Sequence, residues 1–169
     1  MPMAIFFILW RMKKRKIPLS ELGSLEIQRK PIFLSIFLLA AFLLLEELYF
    51  YVLGIEMPES FIEFMLAEPI LLGFISVVVV APIIEEFLFR GFLYSQLRRS
   101  FLRDWGAMAV SSLVWTAIHF QYEVGILFFL FLFGLFLGYF RIKYNSLLIP
   151  IALHAVNNLL SFLVIIYFP

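Results

Sequence analysis

Five stretches of this chain are apolar almost without interruption, at approximately 31–54, 67–97, 105–121, 125–141 and 146–168. A bilayer core of roughly 30 Å takes about 20 helical residues to cross, so each stretch is expected to be a transmembrane helix. The polar positions between them are sorted by sign. Arg29 and Lys30 precede the first stretch, Arg98, Arg99 and Arg103 follow the second, and Arg141 and Lys143 separate the fourth from the fifth. The connections at 55–66 and 121–124 carry Glu56, Glu59, Glu63 and Glu123 but no Lys or Arg. By the positive-inside rule the basic junctions are cytoplasmic, which predicts an N-terminus inside and a C-terminus outside. The expected fold class is an all-α, polytopic membrane helix bundle with a short N-terminal interfacial segment. It divides into that basic segment (1–30), a first transmembrane helix with an acidic loop (31–66), and a membrane core (67–169).

Composition supports the membrane reading independently. Hydrophobic residues make up 64% of the chain, 22 of its 169 residues are Phe, and only 15% are charged, too few to solvate so much apolar surface in water. The net charge of +1 gives no reason to expect a nucleic-acid partner; lipid is the expected one. Cysteine is absent, which excludes disulfides, thiolate metal sites and cysteine nucleophiles. The opening MPMAIFFILW is too short to span and precedes the basic run Arg11 to Lys16, the wrong order for a secretory signal. It reads as an interfacial anchor, with a frayed end as the alternative. Glu46 and Glu47 lie near the outer end of the first stretch beside Tyr49, Phe50 and Tyr51, a pattern that suggests an interfacial belt.

Against this background, ionisable groups inside apolar stretches carry the functional signal, because such groups are costly in a bilayer. The second stretch holds Glu85, Glu86 and Arg90, and Pro82 is expected to kink it or to start a new helix. Glu86 and Arg90, four apart, share a helix face and can neutralise each other; Glu85 points about 100° away. The third stretch has Trp115 one turn before His119, and the fifth has His154 four residues before Asn158. Each motif alone has a structural reading: ion pairing, an interfacial histidine, or interhelical hydrogen bonding. Their depths argue for a joint role. At 1.5 Å per residue, Glu85 is roughly 20 Å from Arg98, His119 roughly 24 Å from Arg103 and His154 roughly 16 Å from Lys143, all measured from one side. The fourth stretch carries Gly134 and Gly138, a spacing that lets helix backbones approach.

Elimination narrows the chemistry. Asp104 is the sole aspartate, which rules out an aspartyl dyad, and neither an HExxH nor a Gly-x-Ser-x-Gly motif occurs.

The set Glu85-Glu86-x-x-x-Arg90-Gly91, Trp115-x-x-x-His119 and His154-x-x-x-Asn158, on three separate apolar stretches, resembles the CAAX protease and bacteriocin-processing family, the Ras-converting-enzyme-like intramembrane endopeptidases. The likeness covers about residues 70–165, with Trp115 where the family usually has Phe. It implies that Glu85 activates water with help from His119, that His154 and Asn158 stabilise the oxyanion, and that Glu86, Arg90 and Trp115 support the site. No cofactor is expected. A zinc ion on Glu85, His119 and His154 is the metal-dependent variant. The implied substrate is a prenylated or otherwise membrane-associated peptide or protein. Alternatives are a non-proteolytic scaffold, a bacteriocin self-immunity protein and a small proton-coupled transporter.

Overall fold

In a computed structural model, residues 14, 22–26, 29–67 and 69–167 are described; MPMAIFFILW and most of the following basic run lie outside them. The described residues are helical apart from short connections. We number the helices α1 (Arg29–Leu53), α2 (Glu59–Ala67), α3 (Ile70–Leu97), α4 (Arg103–Ala117), α5 (Val124–Tyr144) and α6 (Leu148–Tyr167). Four of them, α3, α5, α6 and the Pro31–Leu53 part of α1, are long and apolar enough to cross a membrane.

Two departures from the expected pattern matter for the site. The connection at 55–66 contains α2, an extra short helix. The third apolar stretch is also shorter as a helix than as a hydropathy run: α4 has 15 residues, about 22 Å of rise, and ends at Ala117. It therefore falls short of a full crossing, and His119 sits in the turn beyond it rather than on its face.

Lipid stands in for solvent around the bundle. Large apolar side chains such as Phe33, Phe37, Leu44, Leu45, Leu71 and Leu163 stay exposed. The interior is built on Leu39 of α1, Phe89 of α3, Trp115 of α4, Phe133, Leu137 and Phe140 of α5, and Ile149 and Leu153 of α6. Phe42 of α1 ties into this core through ring contacts at 5.0–5.7 Å with Phe129, Phe133 and Phe136.

Backbone proximity between α4 and α5 depends on the two glycines. A methyl group at Gly134 would lie 2.9 Å from Ser112 Cβ, and one at Gly138 would overlap Met108. At the other end of these helices, Asn145 adopts φ 46°, a left-handed conformation that asparagine tolerates, and stops α5. The segment before α1 folds back onto this turn: Ser24 donates its N–H to Asn145 O (2.8 Å) and accepts from Leu147 N (2.9 Å). Gly23 is needed there, since its φ is 114° and the Arg141 guanidinium stands 3.0 Å from where a Cβ would be.

Pro82 neither starts a new helix nor breaks the old one. Helix α3 runs continuously, but widens into π-helical turns at Ile75–Val80 and Phe87–Leu93. A proline lacks an N–H and crowds the preceding turn, and a wider turn accommodates both defects. Ala81 donates to Ser76 O, five residues back. In the same register the donor for Val77 O would be residue 82, which is proline. That carbonyl is instead satisfied by Asn158 Nδ2 of α6, at 2.9 Å.

Candidate active site

Glu86 is fully buried and organises the base of the site. Its Oε1 accepts from Arg90 Nη1 at 2.8 Å and from His154 Nδ1 at 2.9 Å. Arg90 is only 2% exposed; it also donates through Nη2 to Gly134 O (3.1 Å) and lies 4.8 Å from the centre of the Trp115 ring. A buried arginine so held, with its paired carboxylate, fixes α3 against α4, α5 and α6.

Glu85 lies on the cavity side of α3. Its Oε2 accepts from Trp115 Nε1 at 2.7 Å and stands 4.0 Å from His154 Nε2. The first contact is a hydrogen bond; the second is an ion-pair distance, too long for one. His119 is oriented by three contacts. Its Nδ1 meets Trp115 O at 2.9 Å, its ring meets Trp115 edge-on at 5.1 Å, and Tyr122 stacks on it at 6.1 Å. Because a carbonyl only accepts, His119 Nδ1 must carry a proton, which leaves Nε2 as the acceptor in the neutral ring. The same reasoning applies to His154, whose Nδ1 faces a carboxylate. Burial pushes the Tyr122 phenol above its ordinary range; a hydrogen bond with Gln121 opposes this and the Glu85 charge adds to it.

Glu85, His119, His154 and Asn158 line one cavity of about 300 Å³, together with Trp115. Glu86 and Arg90 lie beneath it. Asn158 enters with part of its capacity committed, since one N–H caps Val77 O; its second amide hydrogen is not used by that bond. The cavity also takes in residues not singled out in the sequence as site groups: Glu46, Glu56, Tyr122 and Asn157. Glu46, read from the sequence as interfacial, faces the cavity across from α3. Its depth gave a signal, since it lies about 24 Å along α1 from Lys30, close to the depth of Glu85.

The donor set does not fit zinc. Among the described residues no three His, Asp or Glu side chains group as metal ligands. The Nδ1 contacts of His119 and His154 leave Nε2 of each ring open, and Glu85 approaches His154, but Glu85, His119 and His154 do not group as a three-ligand site.

Comparison with known proteins identifies the family of the chain. Residues 67–160 match the family model described as type II CAAX prenyl endopeptidase Rce1-like. The chain is also 33% identical over 96 residues to an uncharacterized 24.3 kDa protein of Escherichia coli; the match covers 56% of this chain and 44% of that protein. No solved structure matches. The matched residues run from just before α3 into α6 and contain Glu85, Glu86, Arg90, His119, His154 and Asn158. With its apolar helices, this multi-pass membrane protein belongs to the type II CAAX prenyl endopeptidase Rce1-like family.

Proposed function

We propose that the protein is an intramembrane, glutamate-dependent endopeptidase that hydrolyses a peptide bond in a lipid-anchored or membrane-bound peptide or protein. The observation that carries this reading is the convergence of Glu85, His119, His154 and Asn158, from α3, the turn after α4, and α6, on one cavity. Glu85, steadied by Trp115, takes a proton from water while the water oxygen attacks the substrate carbonyl carbon. His119 Nε2, an acceptor by the tautomer argument, orients that water. The developing oxyanion is met by the free amide hydrogen of Asn158 and by His154, each such donor contributing on the order of 3 kcal/mol. His154 can donate from Nε2 only as an imidazolium. Glu85, Glu86 and Arg90 together leave one surplus negative charge, and a protonated His154 between the two carboxylates balances it. When the tetrahedral intermediate collapses, the C–N bond breaks and the proton held by Glu85 passes to the leaving amine.

No step in this scheme requires a metal. The family description supports prenylated tails as the substrate class. The segregation of basic junctions supports a cytoplasmic N-terminus. The test is mass-spectrometric detection of cleavage of a farnesylated CAAX peptide by purified protein, wild type against Glu85→Ala, with and without a strong chelator. Cleavage that survives chelation and disappears in the variant supports the proposal. Cleavage unaffected by Glu85→Ala in folded protein overturns the mechanism, and its loss on chelation overturns the metal-free form. A folded protein that cleaves no membrane peptide points to the scaffold alternative.

A further inference from the structure

Apart from His154, whose charge is set against Glu85, Glu86 and Arg90, the charged groups lining the cavity are all acidic. Three of its lining residues, Glu46, Glu56 and Glu85, are glutamates, and none is Lys or Arg. Glu85 has a partner in Trp115, and Glu86, below the floor, has Arg90 and His154. Glu46 has no hydrogen bond or ion pair among the described residues, although it sits half-buried in a largely apolar helix. Its neighbour Glu47 is turned outward and exposed.

Among the described residues no Lys or Arg side chain pairs with Glu46. Arg90 is committed below the floor, and every other Lys or Arg lies before α1, at its first two residues, at 98–103, or in the last turn of α5 at 141 and 143. The start of α1 is about 24 Å from Glu46 along the helix. The cavity, by contrast, reaches the opposite, acidic end of the bundle: Glu56, Met57 and Pro58 of the α1–α2 connection and Tyr122 of the α4–α5 connection line it. An ionised carboxylate in a wall partly shielded from water is costly without a counter-charge, and the charge of the adjacent Glu47 raises that cost. A cationic group entering from the acidic mouth relieves both.

We infer that this cavity selects a peptide with a basic side chain, Lys or Arg, next to the scissile bond, and that Glu46 receives it, with Glu56 drawing the substrate to the mouth. The inference rests on the endopeptidase reading for its function, but its binding component stands apart from catalysis. Glu46 then determines specificity, setting which peptides lie productively against Glu85.

The experiment uses the full chain in lipid nanodiscs. A series of membrane-anchored fluorogenic peptides carries Lys, Gln or Glu stepped through two residues on either side of the cleaved bond. At one position at least, kcat/KM for the Lys peptide should exceed that for the Glu peptide by about tenfold or more, and Glu46→Gln should cut that ratio to about threefold or less. A wild-type ratio near one at every position, or a ratio unchanged in folded Glu46→Gln, overturns the inference. The same peptides, N-methylated at the scissile amide, give dissociation constants without turnover. If nothing is cleaved, the endopeptidase reading falls. Tighter binding of the Lys forms that Glu46→Gln removes still upholds the selectivity, and equal binding of Lys and Glu forms overturns it.

Discussion

Glu85 and Glu86 are adjacent in the chain and have opposite surroundings. Glu86 is fully enclosed between Arg90 and His154, whereas Glu85 opens on the cavity with a single close hydrogen bond from Trp115. Their substitutions should therefore separate. Glu86→Ala leaves Arg90 without its carboxylate in a dry interior, which should cost about 3–5 kcal/mol of stability, read as a lower yield of folded protein and a lower Tm in detergent. Glu85→Gln keeps an acceptor for Trp115 Nε1 but cannot take a proton; Tm should hold while kcat falls by on the order of a hundredfold to ten-thousandfold. An equal loss of Tm in both variants would contradict this division. At this scale the sequence was informative: a helical spacing of four pairs Glu86 with Arg90, and the rotation of Glu85 off that face follows from 3.6 residues per turn. It was silent on His154 bridging to Glu86, because that contact joins residues 68 positions apart.

Within the elements, the most consequential feature is the widened turn before Pro82. The missing proline N–H leaves Val77 O to be capped from α6 by Asn158, so the residue proposed to meet the oxyanion is also the one that closes a gap in α3. Asn158→Leu should strand that carbonyl in apolar surroundings at a cost of about 1–3 kcal/mol. Adding Pro82→Ala supplies an N–H at the vacant register position, and the double variant should recover part of the lost stability without recovering cleavage; additive losses in denaturation would rule out the coupling. Gly134 gives a second element-scale test. The approach of α4 to α5 leaves no room for a methyl group against Ser112 Cβ, so Gly134→Ala should destabilise the protein by about 1–3 kcal/mol, measurable as a Tm shift. The small-residue spacing was visible in the sequence, but which residues it would face was not.

For the whole molecule, the charges sort toward two ends of the bundle, and this yields a topology test that the composition makes clean. The chain has no cysteine, so single-cysteine variants need no background removal. In intact cells Glu123→Cys should react with a membrane-impermeant maleimide, while Lys143→Cys should react only after permeabilisation. The reverse pattern would invert the orientation and place the acidic cavity mouth on the cytoplasmic side. The hydropathy pattern gave the bundle, its apolar runs and the segregation of charge. It overstated α4, because an apolar run continues through the turn that carries His119 after helical hydrogen bonding has ended.

The sequence by itself determined the solvent of this protein, its five longer helices to within a few residues, and three motifs whose resemblance to one family the family match then supported. These properties are local: hydrophobicity, proline and glycine positions, and helical spacing act over a few residues. Tertiary structure decided which polar groups share one cavity, that Glu46 and Glu56 join them, that His119 lies past a helix end, and that Asn158 caps Val77. Each of those depends on how helices rotate and tilt against one another, which is set by packing between residues far apart in the chain and leaves no periodic signal along it.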